Sequence, residues 1–303
     1  MNLKAWVRLA AAPVPCWAPI GLAGDQQLID VRLRSSGHSV DVNSNHVIVS
    51  LVPLTIAVGC EGISRGELGF FDRDTGRELG TLSLRSAPGA GAAESGTSIL
   101  EVAGGKHACL PAGLRTWQRL LQARFRHDAG FHMSNTAVQH LMLFYLCPRP
   151  VVLVSVDDGV NNNLFPMDLI GNLRDGFTLA LRSTSPSVAT MRGSRRVALA
   201  DIALRLQHTA YALGKHHRLA QIDWSSLPFE SARSAEFGLR VPVDTERIRE
   251  LSIVSWREVG SHTFFTCRVV SDRTLASGPR LHHTCGIHRA YRQRAGALPW
   301  HEL

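Results

Sequence analysis

The chain has 303 residues, 45% of them hydrophobic and 19% charged, with a formal net charge of +8. That length accommodates one large domain or two ordinary ones, and the balance of apolar to charged residues excludes a disordered chain. The positive charge favours anionic partners in general, but the densest basic cluster is three arginines within 192–196, too diffuse for a nucleic-acid footprint, so no nucleic-acid partner is expected.

Residues 1–30 carry prolines at 13, 15 and 19 and read as an irregular arm. Arg8 and those prolines interrupt the apolar run before it reaches signal-peptide length. Strand patterns follow at 28–35 and 46–59, the second divided by Pro53. Two apolar arms flank Asp72-Arg-Asp-Thr-Gly, which is hairpin chemistry. Asp72 and Asp74 are turn formers there, because the downstream ligands of a calcium loop are missing. A Gly/Ala/Ser loop covers 88–96 and another strand 98–105. Trp117, Leu120, Leu121 and Phe125 lie at helical spacing and predict an amphipathic helix over 114–126 with its arginines outward. Ser134 caps a second helix with Val138, Leu141, Met142 and Tyr145 along one side. Residues 1–130 thus form a β-rich region of unassigned fold without a motif that carries chemistry. A separate β domain, an elaboration of the second half and a decayed duplicate of it all remain open. An echo between 46–59 and 149–156 is too weak to define a repeat.

The most informative stretch is 149–196, RPVVLVSVDDGVNNNLFPMDLIGNLRDGFTLALRSTSPSVATMRGSRR. Its apolar runs at 151–156 and 177–181 have the length and β-branching of buried strands. A polar turn, Asp157-Asp158-Gly159, leads through Asn161, Asn162 and Asn163 into Leu164-Phe165-Pro166-Met167. After the second run comes Arg182-Ser183-Thr184-Ser185-Pro186, with Ser185 placed to cap a short helix and Pro186 at its first position. A helix start with hydroxyls and an arginine is suited to phosphate, although an ordinary strand–helix turn reads the same way. Beyond it, Asp201 is positioned to cap a helix through Leu213, and Lys215-His-His-Arg218 makes a cationic corner. Strands over 247–254 and 263–270 flank Val259-Gly-Ser-His262-Thr-Phe-Phe. His262 alone reads as a turn or core histidine.

In order and spacing, RPVVLVSVDDG, NNNLFPMDLIG, FTLALRSTSPSVATM and GSHTFF resemble the flavin reductase-like family with an FMN-binding split barrel, over about residues 135–291. The family's Gly-Asp-His segment has Ser261 here in place of the aspartate. The resemblance implies an α+β, β-rich fold, with the split β-barrel in the C-terminal half (135–303). It implies FMN, or FAD, held along its ring by Asn163, Leu164, Phe165, Pro166 and Met167. Its phosphate would be held by Arg182, Ser183, Thr184, Ser185 and Thr190, and His262 would sit where nicotinamide arrives as a catalytic residue. The expected activity is NAD(P)H-dependent flavin reduction by a homodimer with part of the site near the dimer interface, serving a partner oxygenase. A non-catalytic flavin- or partner-binding module on the same barrel is the alternative. Leu164–Met167 fit a plain hydrophobic turn equally well.

No metal is expected: adjacent His216 and His217 do not readily face one ion, and Cys285-x-x-His288 lacks a partner motif. Neither a G-x-S-x-G elbow nor a dinucleotide fingerprint occurs. Six cysteines without paired spacing suggest a cytoplasmic protein. No stretch approaches the ~20 apolar residues of a membrane span, so no membrane partner is expected.

Overall fold

A computed structural model describes residues 11–23, 26–87, 96–125, 133–174 and 176–295. The first half runs through strands β1 (Ala18–Ala23), β2 (Ile29–Ser35), β3 (His38–Asp41), β4 (His46–Leu51), β5 (Leu54–Val58), β6 (Arg65–Asp72), β7 (Glu78–Ser86) and β8 (Ser98–His107). Helices α1 (Ala112–Phe125) and α2 (Asn135–Phe144) close it. The second half has β9 (Arg149–Pro150), β10 (Val152–Asp157), β11 (Asn162–Met167), β12 (Ile170–Leu173), β13 (Gly176–Arg182), α3 (Ser187–Ser194) and β14 (Arg196–Asp201). It continues with α4 (Gln207–Ala212), β15 (Ser231–Arg233), β16 (Arg240–Pro242), β17 (Arg247–Val259), β18 (His262–Thr274), β19 (Pro279–Thr284) and α5 (Gly286–Ala295).

Two seven-stranded antiparallel sheets dominate, ordered β3-β2-β6-β7-β8-β5-β4 and β11-β10-β14-β17-β18-β13-β12. Counting each sheet's strands in chain order, both read 2-1-5-6-7-4-3, so the two halves share one topology. The second sheet curls around a single core: Val154, Phe165, Ile170, Leu179, Leu199, Ile253 and Phe265 come one from each strand, and Val188 and Met191 of α3 join the same cluster. The chain is β-rich with helices, and a half-barrel sheet is present. The sequence echo paired the wrong segments: β10 stands first in its sheet and corresponds to β2, while 46–58 supplies β4 and β5, the counterparts of β12 and β13.

The copies differ in what joins equivalent strands. Between β5 and β6 only residues 59–64 intervene, whereas β13 and β14 are separated by a turn and α3. A tight hairpin at Asp72 joins β6 to β7, where the Asp72 carboxylate accepts from the Thr75 amide and hydroxyl. The equivalent connection from β14 to β17 is a long excursion holding α4, short 3-10 helices and β15–β16. Elaboration of this kind falls only on the second copy.

The halves pack closely. β4 lies against β12, β13 and β18, and Val47 sits where a Gly171 side chain would be. One core runs from β2, β4–β8 and α1–α2 into Leu169, Leu173, Ala180 and Phe264, and takes in Ile287, Ala290 and Tyr291 of α5. β1 pairs with β19, and β19 with β9.

Several local expectations change. Residues 18–23 are a strand, not an irregular arm, because β19 offers a pairing edge. Helix α1 turns Leu114, Gln118 and Leu121 inward and leaves Trp117 and Leu120 exposed. Gln118 is drawn in because its carboxamide accepts the Val14 amide. Asp201 does not cap a helix; it ends β14 and takes ion pairs from Arg249 and Arg280. Ser134 does cap α2, accepting from Ala137, and Pro53 does divide its strands. Residues 88–95 and Arg126 lie outside the described residues. No helix among the described residues is long and apolar enough to cross a membrane.

Candidate functional site

A cavity of about 500 Å³ opens between the halves, within the range that holds small cofactors. Strand register places its two most informative residues side by side: Arg182, the last residue of β13, pairs with His262, the first of β18. Eighty positions apart in sequence, both line the cavity with Thr184, Ser185 and Pro186 of the following turn. The excursion after β14 adds His217 and Arg218. Burial and the nearby Arg218 charge both weaken the Arg182 cation, which makes this corner receptive to an anion.

Pro166, Met167 and Leu169 give the lining an apolar part, and the first half adds Leu51, Leu141 and Tyr145. The remaining predicted ring contacts are elsewhere. Residues 162–167 are a strand paired with β10, so alternate side chains leave the cavity side. Leu164 and Phe165 are fully buried in two different cores. Asn163 is a tie: its amide donates to Ser187 Oγ and to the His216 and Leu219 carbonyls at 3.0, 2.9 and 2.7 Å.

The turn at 183–186 is also more structural than expected. Ser183 Oγ hydrogen bonds with Glu258 and Thr263 and lies outside the cavity lining. Ser185 Oγ donates to the His217 carbonyl at 2.9 Å rather than capping the helix, whose N-cap is Pro186. Thr190 is buried within α3 and is not part of the lining. His217 in turn donates Nε2–H to the Pro166 carbonyl, 2.8 Å away. These bonds fix the turn against β11 and leave Arg182, Thr184 and Ser185 at the cavity surface.

His262 is 2% exposed. Burial first, then the charges of Arg182 and His217, push its pKa down to about 4, so at neutral pH the ring is uncharged. Ser261 replaces the aspartate of the resembled motif and still engages the ring, its Oγ lying 2.9 Å from Nδ1. The same hydroxyl accepts the Val52 amide at 3.2 Å, and the Ser261 amide donates to the Val52 carbonyl at 2.9 Å. With the serine hydroxyl donating to Nδ1, Nε2 carries the ring proton, a tautomer assigned from the bonding pattern. Gly260 makes the approach possible: its φ is +54°, and a Cβ there would lie 2.5 Å from Ser50 Oγ and 2.6 Å from the Val52 carbonyl.

A second polar group in the cavity has no motif in the sequence. Asp168 Oδ2 accepts Tyr145 Oη–H and His283 Nδ1–H, each at 2.7 Å. His283 Nε2 lies 3.0 Å from Tyr211 Oη. Burial alone would raise the Asp168 pKa, but the hydrogen bond and charge of His283, with the Tyr145 hydroxyl, bring it below the usual carboxylate value. Burial, then Asp168, pushes Tyr211 up to about 12. These residues come from the C-terminal cap of α2, the β11–β12 link, α4 and β19, so no local pattern announces them. Among the described residues no cluster of three or more metal-ligating side chains occurs.

The donor set fits a flavin mononucleotide: two arginines and hydroxyls at one corner, an apolar wall, and a neutral histidine at the strand end. No family model and no curated protein matches the chain. Among solved structures it is similar to an FMN-binding protein from Thermus thermophilus, at 18% identity over 42% of this chain and 72% of that one, with a TM-score of 0.38. An NADH:FAD oxidoreductase from Streptomyces globisporus gives 16% identity over 49% and 88%, with a TM-score of 0.43. The styrene monooxygenase flavin reductase of Pseudomonas putida gives 15% over 53% and 94%, at 0.40.

Proposed function

We propose that the chain binds FMN in the cavity between its halves and works as an NAD(P)H-dependent flavin reductase. One observation carries the reading: β13–β18 register sets a half-buried arginine and a neutral buried histidine side by side at the cavity, beside a strand-to-helix turn. A bound flavin supplies the two-electron chemistry. Arg182 and Arg218 counter the phosphate charge, with Thr184 as a hydroxyl partner, and Ser183, Ser185, Thr190 and Asn163 keep the turn and its helix in place. Pro166 and Met167 offer the flat apolar contact the ring needs. His262, held by Ser261, presents an uncharged N–H donor that orients the incoming nicotinamide.

The resemblance assigns part of the site to a second subunit. In this chain Leu51, Leu141 and Tyr145 of the first half already contribute to the lining, so the reading draws its walls from one chain. Reduced flavin passed to a separate oxygenase is the resemblance's expected fate for the electrons. NAD(P)H consumption by the purified chain with added FMN tests the activity. Turnover that saturates with FMN supports it, and FMN binding without any turnover leaves only a flavin-carrying module.

A further inference from the structure

Passing reduced flavin to another protein requires no acid group in the cavity, yet the cavity contains a phenol with its own supporting chain. Tyr211 lies at the cavity edge, 41% exposed, with its hydroxyl on His283 Nε2 and His283 Nδ1 on Asp168. Tyr145 fills a further acceptor position of that carboxylate, which leaves the imidazole squarely between acid and phenol. The arrangement is that of a base–orienter pair serving a hydroxyl. The Tyr211 and His283 rings also stack, with centroids 5.6 Å apart.

We propose that the chain reduces a small conjugated carbonyl compound in this cavity, with Tyr211 delivering the proton and His283 and Asp168 positioning and recharging it. This rests on the flavin reading above. Reduction of a carbon–carbon double bond needs a hydrogen with its electron pair and, separately, a proton. Held at Arg182 and Thr184, a reduced flavin would supply the first, the β C–H bond forming as the π bond breaks and the flavin being oxidised. The enolate so formed takes the Tyr211 O–H proton at the α carbon. Tyr211 is recharged along its hydrogen bond to His283 Nε2, which Asp168 holds in place through Nδ1, and the proton comes from solvent at the exposed edge. The net reaction consumes one NAD(P)H and one proton per double bond.

Trans-cinnamaldehyde serves as the probe acceptor, and ferricyanide as the control, since it takes electrons without a proton. Anaerobically NAD(P)H-reduced, FMN-loaded protein is mixed with each in a stopped-flow instrument. Tyr211→Phe should lower the ratio of cinnamaldehyde-driven to ferricyanide-driven reoxidation by ~10²-fold or more, the usual worth of a positioned general acid. Asp168→Asn should lower the same ratio and flatten its pH profile. The flavin-free protein should show a low-field imidazole N–H proton resonance, lost in Asp168→Asn and shifted in Tyr211→Phe. An unchanged ratio in Tyr211→Phe overturns the proposal, as does wild-type protein that is reduced but not reoxidised by cinnamaldehyde. Failure to bind FMN, or to be reduced by NAD(P)H, overturns the flavin reading and this proposal together. Loss of folding in a variant shows in the absent resonance envelope, and Tyr211→Trp, bulky but without a hydroxyl, then gives the same test.

Discussion

His262 shows how one side chain acquires a role from its neighbours. Its sequence setting, Gly-Ser-His at a strand start, describes many surface turns. The structure buries it, uncharges it and sets Ser261 on its Nδ1. A serine hydroxyl replaces a carboxylate here without loss of contact, because the same oxygen is anchored by the Val52 amide. Under the flavin reading, His262→Ala should lower the rate of flavin reduction by NADH or NADPH by ~10²-fold, or less if the ring only places the nicotinamide. FMN affinity should change little, since the phosphate corner is formed by other residues. Stopped-flow reduction of the variant checks this, and a wild-type rate with both donors would return His262 to a structural role.

At the scale of elements, the β17–β18 hairpin matters most, because its tip joins the halves. Gly260 has a left-handed φ and no room for a side chain against the β4–β5 turn. Gly260→Ala should therefore cost about 1–3 kcal/mol, the usual range for strain at such a position, and weaken ligand binding by moving Ser261 and His262. Thermal melting and an FMN titration of the variant read both effects; a melting point equal to wild type would show that the tip yields without cost. Much at this scale was legible in the sequence. The Asp72 hairpin, the Ser134 cap and the strands at 151–156 and 177–181 declare themselves by turn chemistry and β-branching. Helix α1 was misread on one face because Gln118 is polar yet buried by a specific hydrogen bond, which hydrophobic spacing does not register. Asn162–Met167 looked like a turn because asparagine and proline dominate it; pairing with β10 makes it a strand and sends Leu164 and Phe165 into cores. The Asp168–His283–Tyr211 chain was invisible, since only the fold brings its three segments together.

For the whole molecule, the shared strand order explains why the front half carries no motif. It is a second barrel-like sheet without the turn and helix after its fourth strand, and it contributes walls where the other half contributes chemistry. Close packing buries many titratable groups, with consequences for acid stability. Burial chiefly pushes His107, His262 and His282 down to about 4 and His288 to about 3. Unfolded, each would protonate near 6.5. The stability contributed by their neutral forms is therefore complete above pH 6.5 and lost as pH falls from there towards 4, at up to about 1.4 kcal/mol per pH unit for each histidine. Urea unfolding midpoints should fall steadily between pH 6.5 and 4.5; a flat profile would contradict the neutral buried state of these rings.

The central claim, that this cavity holds a flavin by its phosphate at Arg182, is tested most directly by equilibrium titration of FMN into the wild-type chain and into Arg182→Ala. Loss of a hydrogen bond to a charged group is worth about 1.5–3 kcal/mol. The account predicts one FMN per chain in the wild type, with visible absorbance retained after gel filtration, and a Kd raised roughly 10- to 150-fold in the folded variant. Equal affinity in the two proteins, or no retention of FMN by the wild type, would contradict it.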